Sequence, residues 1–162
     1  MSEYKRMSRE ILFRGKRVDN GEWIYGGYAK CNNREYILPD IDLVGREWVF
    51  KNIEVIPETV GQFTGLTDKN GKKVFEGDIV KITYNDRLTR RLEKEDYESY
   101  MKEFCLVEQV VFYKGAFCSK VEIENMPLYR PLGFDLYAKS MLKELEVIGN
   151  IYDNPELLEV EE

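Results

Sequence analysis

Residues 68–82 read DKNGKKVFEGDIVKI, and the reading of this stretch decides the fold. Two turn signals punctuate it, Asn70-Gly71 and Glu76-Gly77-Asp78, with short apolar runs around them. Asn-Gly favours positive φ at both central positions of a type I′ turn, the corner whose twist suits a tight β-hairpin. Beyond the second turn, Val80, Ile82 and Tyr84 share one face, with Ile79, Lys81 and Thr83 on the other. That period of two is the mark of a half-buried strand. Asp78 reads as turn chemistry, its carboxylate accepting backbone N–H groups around Gly77. The stretch predicts the corners of a small β-fold and not a reactive loop.

The same grammar extends in both directions. Upstream, Ile11–Arg14 and Glu22–Tyr25 flank Asp19-Asn20-Gly21 and predict a hairpin, with Gly26-Gly27 breaking or bulging its second strand. Further strands are expected at 35–38, 46–50, 52–56 and 60–63, with Pro57 ending the third of these. Downstream, 105–113 and 116–123 flank Lys114-Gly115, and 145–151 forms a last strand. Between them, 87–104 lacks Gly and Pro and spaces Leu88, Leu92, Tyr100, Met101 and Phe104 near the helical period, which predicts an amphipathic helical insertion. Asn125–Asp135, with Pro127, Pro131 and Gly133, reads as a loop. Asn154-Pro155-Glu156 places a cap, a first-turn proline and an acid in the order that opens a short C-terminal helix. The expected class is mainly β (α+β), divided as an N-terminal β region over 1–56 and a second region over 57–162.

Composition narrows the chemistry. Of 162 residues, 43% are hydrophobic, enough to build a core. Histidine is absent, which removes Ser-His and Cys-His nucleophile pairs, an imidazole base and His-ligated metal. Cys31, Cys105 and Cys118 match no zinc or redox spacing and read as small buried or half-buried thiols. Neither GGYAK (26–30) nor TGLTDKNGKK (64–73) fits a phosphate loop. Glu76, Asp78, Asp40 and Asp42 carry no metal-loop pattern. No metal, cofactor or catalytic residue is therefore expected. No run is long enough to cross a bilayer, and the N-terminal residues lack a signal-like apolar core, so a cytoplasmic protein is the expectation.

The net charge of −6 is uneven. Residues 1–17 carry Lys5, Arg6, Arg9, Arg14, Lys16 and Arg17 against Glu3 and Glu10, whereas 144–162 holds seven acids and no base. A basic end beside Phe13, Trp23 and Tyr25 suits single-stranded nucleic acid, with Arg14, Lys16, Arg17 and Trp23 as the binding candidates. The overall negative charge opposes that reading, because phosphate contacts need cations. A protein partner is favoured, nucleic acid is the alternative, and an enzyme working without histidine is the third.

Three stretches, FRGKRVDNGEWIYG (13–26), VIPETVGQFTGLTDKNGKKVFEGDIVKI (55–82) and EVIGNIYDNPELL (146–158), together resemble the YopX family of phage and prophage proteins. They cover about a third of the chain in the family's order, while roughly 85–145 matches no motif. The resemblance implies a mainly β protein whose C-terminal part is an SH3-like roll or small barrel, interrupted here by the helical insertion. It brings no assigned activity and no site residues, so Asn70, Gly71, Gly77 and Asp78 stand as structural turn residues.

Overall fold

The computed structural model describes residues 10–39, 42–44, 47–49, 51–85, 103–123, 126–132 and 142–159. These residues form antiparallel strands and two short 3-10 turns, with no α-helix among them. The chain divides into two compact units between Gly65 and Leu66.

The first unit contains β1 (Phe13–Lys16), β2 (Trp23–Cys31), β3 (Arg34–Leu38), β4 (Asp42–Val44), β5 (Glu47–Val49), β6 (Ile53–Val55) and the start of β7 (Gly61–Thr67). Its main sheet runs β6-β3-β2-β1-β7, and β4 and β5 form a separate ribbon. The Asp19-Asn20-Gly21 corner is present, with Gly21 at φ +73° and its N–H donating to the Arg17 carbonyl. Between β2 and β3 the link is Asn32-Asn33, both at positive φ, which is the backbone signature of a type I′ turn. The sheet then curls onto itself. Val18 N–H donates to the Glu54 carbonyl, Ile56 N–H donates to the Lys16 carbonyl, and a bridge joins Arg17 to Val55. Closure turns a vulnerable edge inward, where its backbone groups are paired.

So tight a curl leaves little interior, and two glycines make it possible. A Cβ on Gly15 would lie 3.0 Å from Val55 Cβ, and one on Gly26 would lie 1.9 Å from the Leu38 carbonyl oxygen. β2 passes through Gly26-Gly27 without the expected break, so Gly26 serves close approach and not a bulge. Ile37, Val55 and Phe63 are buried in this unit. Thr59 braces the closure, accepting the Lys16 N–H at 2.8 Å and donating its hydroxyl to the Ile56 carbonyl at 2.6 Å.

The second unit carries β8 (Lys73–Phe75), β9 (Asp78–Asn85), β10 (Glu103–Tyr113), β11 (Ala116–Ile123), β12 (Met126–Pro131) and β13 (Leu142–Asn150). The five-stranded sheet runs β12-β11-β10-β9-β13. Val74, Val80, Ile82, Val110, Leu145 and Val147 form its core. Ile79, on the opposite face of β9 from Val80, is also fully buried. β10 and β11 join through Lys114-Gly115, both at positive φ.

The turn after β7 differs from the sequence expectation. Gly71 has φ +82°, but Asn70 is not in the left-handed region, so the corner is not type I′. Asp68 organises it instead. Its Oδ1 accepts N–H groups of Asn70 (2.8 Å) and Lys72 (2.9 Å), and its Oδ2 accepts the Val147 N–H (3.2 Å). The Lys69 N–H donates to the Leu145 carbonyl at 2.9 Å, so the turn is also fastened to β13. A chain that could form a two-residue corner takes a longer one because a buried carboxylate collects three donors at once.

Other expectations need correction. Residues 86–102, most of the expected helical insertion at 87–104, lie outside the described residues, and Glu103 and Phe104 belong to strand β10. Most of the loop expected at 125–135 is strand, since 126–131 is β12. The Leu132 N–H points to the Phe117 carbonyl on β11, so by alternation the nitrogens of residues 127, 129 and 131 point away from it. Pro127 and Pro131 fall at those outward positions, where an edge strand tolerates the missing donor. The C-terminal helix is one 3-10 turn, Pro155–Leu158, and Asn154 provides no side-chain cap. It folds against Gly149, whose absent side chain leaves room for Asn154 and Leu157.

Two outcomes check this account. Gly26→Ala is expected to destabilise the first unit by about 3 kcal/mol or more, beyond typical overpacking. Gly27→Ala, whose new Cβ would meet nothing nearer than 3.9 Å, should leave the urea midpoint nearly unchanged. For Asp68, burial alone would push the carboxyl up, but the N–H groups of Lys72, Val147 and Asn70 outweigh it and hold it below its usual value. Its contribution is therefore complete above the unfolded value, about 4, and is lost as pH falls through the lower folded value. Asp68→Asn should cost about 1–3 kcal/mol at neutral pH. Urea unfolding from pH 7 to 2 should show the gap from wild type narrowing in acid; a constant gap would refute the charge's role.

Candidate functional site

Register decides which sequence candidates meet. β1 pairs with β2 so that Arg14 opposes Tyr25 and Lys16 opposes Trp23. Opposed residues share a face, and alternation puts Arg14 and Lys16 on the same side of β1. The Arg14 guanidinium carbon lies 4.7 Å from the Trp23 ring centroid, and Lys16 Nζ lies 5.6 Å from it. Both are within cation–π range. Two of the four binding candidates, Arg14 and Lys16, therefore converge on the indole of a third, Trp23.

Arg17 does not join them. Alternation turns it to the opposite side, where its Nε and Nη2 contact Asp19 Oδ1 and Oδ2 at 2.8 and 2.5 Å. This forked hydrogen bonding raises the Arg17 guanidinium above its ordinary value and lowers the Asp19 carboxyl. Among the converging residues Arg14 is only 5% exposed, while Tyr25, beside it on the same face, is 49% exposed. The cluster presents aromatic surface with the Arg14 charge buried and Lys16 half-buried.

The four turn residues hold the backbone. Gly77 has φ +82°, donates its N–H to the Val110 carbonyl and accepts from the Ile151 N–H. Asp78 is 1% exposed, and its Oδ2 accepts the Phe75 N–H at 2.7 Å. Asn70 and Gly71 form the exposed tip of the Asp68 turn. Asp78 accepts a backbone N–H at the turn into β9, but the Asn70-Gly71 corner is not the expected type I′ turn and is organised by Asp68, which was not singled out. The signal lay in its place two residues before Asn70, the position from which an aspartate caps an Asx turn.

Two charged pairs also escaped the sequence reading. Glu108, fully buried on β10, accepts from Arg130 Nη1 on β12 at 2.6 Å. Lys30 Nζ contacts the buried Glu35 Oε1 at 2.9 Å, an interaction that raises the lysine. Burial first, then the Glu35 carboxylate, raises the neighbouring Tyr28 phenol. Sequence spacing does not report the Glu108–Arg130 pair, because 22 residues separate its members, whereas Lys30 and Glu35 are opposed across the Asn32-Asn33 hairpin. Of the cysteines, Cys118 is buried as expected and held as a thiol by burial, whereas Cys31 and Cys105 are exposed.

A groove of about 300 Å³ lies on the second unit, lined by Val107, Gln109, Lys120, Val121, Glu122 and Leu158. Its two charged residues pair with each other, Lys120 Nζ to Glu122 Oε1 at 2.9 Å. The remaining lining is mainly aliphatic. Around the same sheet, Met126 (70%), Phe112 (54%) and Leu128 (44%) are exposed. No group of three potential metal-ligating residues occurs among the described residues, and no helix among them is long and apolar enough to cross a membrane.

The family model described as YopX protein matches residues 12–159. That span is nearly the whole chain, and the chain belongs to the YopX family. No curated protein matches it.

The Trp23 cluster makes a direct prediction. In a Trp48→Phe background, Arg14→Ala should lower stability by about 1–3 kcal/mol and shift Trp23 emission, because it removes buried stem packing as well as charge. Lys16→Ala should cost less than about 1 kcal/mol. Equal effects of the two substitutions on the urea transition would overturn this assignment.

Proposed function

We propose that this YopX family member is a phage- or prophage-encoded accessory protein that acts in the cytoplasm as a non-catalytic binding module for a protein partner. The exposed apolar surface on the β10–β12 sheet supports this reading most. Met126, Leu128 and Phe112 stand exposed on one face of that sheet, while Val107, Gln109, Lys120 and Glu122 of the groove lie on the other. Singly, exposed apolar residues are ordinary; sharing one sheet face, Met126, Leu128 and Phe112 suit a protein contact. The charged groups best placed for chemistry are instead engaged within the fold: Arg17 with Asp19, Glu108 with Arg130, and Asp68 and Asp78 with backbone donors. An SH3-like small barrel is the finer reading of the second unit, supported by its antiparallel order and terminal 3-10 turn. SH3-like folds host many binding roles, so it is the exposed surface, and not that likeness, that supports partner binding.

The second reading is single-stranded nucleic acid on the Trp23 face. Half-exposed Tyr25 beside Trp23 favours it, since bases stack on such rings. The burial of Arg14 and the pairing of Arg17 weaken it, because each phosphate contact needs an accessible cation.

Affinity capture with wild type and with Met126→Ser/Leu128→Ser separates these readings. A protein enriched by wild type and lost with the folded double variant is the expected result. Undiminished capture by that variant would remove the β10–β12 surface from consideration. Titration with labelled oligonucleotide at low and moderate salt should show no salt-sensitive binding; clear binding abolished by Trp23→Ala would put the nucleic-acid reading in its place.

A further inference from the structure

The two edges of the five-stranded sheet are closed in different ways, and the difference points to a site. On β12, two of the three outward backbone positions are Pro127 and Pro131, so a strand arriving there finds few donors. That closure is permanent. On β13 the outward groups are present but covered by the Asp68 turn. The Leu145 carbonyl accepts from the Lys69 N–H, and the Val147 N–H donates to the Asp68 carboxylate. Lys69 Nζ completes the contact, 2.7 Å from Glu146 Oε2 and 3.5 Å from Glu144 Oε2.

This turn imitates an added strand. It offers a backbone donor to one residue and an acceptor to the residue two further on, as a neighbouring strand would. Its lysine reads two acids that lie two apart in sequence along the edge. We propose that the outer edge of β13 is a strand-docking site for an extended, basic segment of a partner protein, and that the Asp68–Lys72 turn is the built-in occupant that covers it. The occupant's chemistry defines the ligand: extended backbone with a lysine or arginine facing Glu144 and Glu146. Main-chain pairing supplies affinity in this mode of recognition, and the side-chain contact supplies selection. With the turn in place, the docking-competent fraction is small, and apparent affinity is reduced by that fraction. This inference rests on the protein-binding reading above but uses a different surface from Met126 and Leu128.

The probes are a short synthetic peptide alternating Lys and Val and its counterpart alternating Glu and Val, each fluorescently labelled. Asp68→Ala/Lys69→Ala weakens the cover, and Lys69→Glu alone, at a half-exposed side chain, serves if the double variant fails to fold. The folded variant should bind the lysine peptide about tenfold more tightly than wild type, in proportion to the docking-competent fraction released. It should ignore the glutamate peptide. Amide exchange at Val147 should accelerate in the variant and slow again when the lysine peptide binds. Equal affinity of variant and wild type, equal binding of both peptides, or unchanged Val147 exchange each overturns the proposal. If the peptide arm fails while the Met126/Leu128 surface still governs capture, the edge site falls and the protein-binding reading stands. If both fail, that reading falls as well.

Discussion

A single buried carboxylate ties the second unit together. Asp68 is 7% exposed, and it holds N–H groups from Asn70, Lys72 and Val147. Burying a carboxylate is costly unless it is hydrogen-bonded, and here three backbone donors offset that cost. Two of those donors shape the corner between β7 and β8. The third comes from β13, whose Leu145 and Val147 pack in the core. One side chain thus couples local turn geometry to the position of a strand 79 residues away. Asp78 works at shorter range, receiving the Phe75 N–H as the chain enters β9.

The first unit meets the same requirement, paired backbone at every buried edge, by closure. β6 meets the chain after β1, and Thr59 supplies one hydroxyl that both accepts and donates at the seam. Closure over so few strands forces backbones together, and Gly15 and Gly26 provide the clearance. The second unit leaves its sheet open and manages each edge separately, with prolines on β12 and the Asp68 turn on β13. Those two solutions have different consequences for binding, since a proline cannot be moved aside and a turn can.

Much of this was legible beforehand. The alternation of Val80 and Ile82 with Lys81 and Thr83, the Asp19-Asn20-Gly21 and Lys114-Gly115 corners, and the grouping of Arg14 with Lys16 follow from local periodicity, which the tertiary structure leaves intact. The candidate site was less legible. Sequence placed Arg17 with its basic neighbours because charge clusters along the chain, but strand alternation turns it away and Asp19 lies within reach of its fork. The type I′ geometry expected at Asn70-Gly71 occurs instead at Asn32-Asn33, a pair lacking the glycine that makes such turns conspicuous. The Pro127–Pro131 segment read as loop because proline usually interrupts strands. Only the direction of its neighbours' N–H groups shows that an edge accommodates both.

Sequence by itself determined the mainly β class, the family, and the turn residues that punctuate the strands. The class and the turns are written in neighbours two to four positions apart, where φ preference and side-chain period act, and the family in three stretches over 13–158. Tertiary structure alone decided how exposed each charge is, which acids organise the backbone, and which edge is covered. Burial of Arg14, the pairing of Glu108 with Arg130, and the reach of Asp68 to Val147 all depend on segments far apart in the chain. The physical reason is that hydrogen bonding and desolvation depend on distance in space, and local composition carries no measure of that distance.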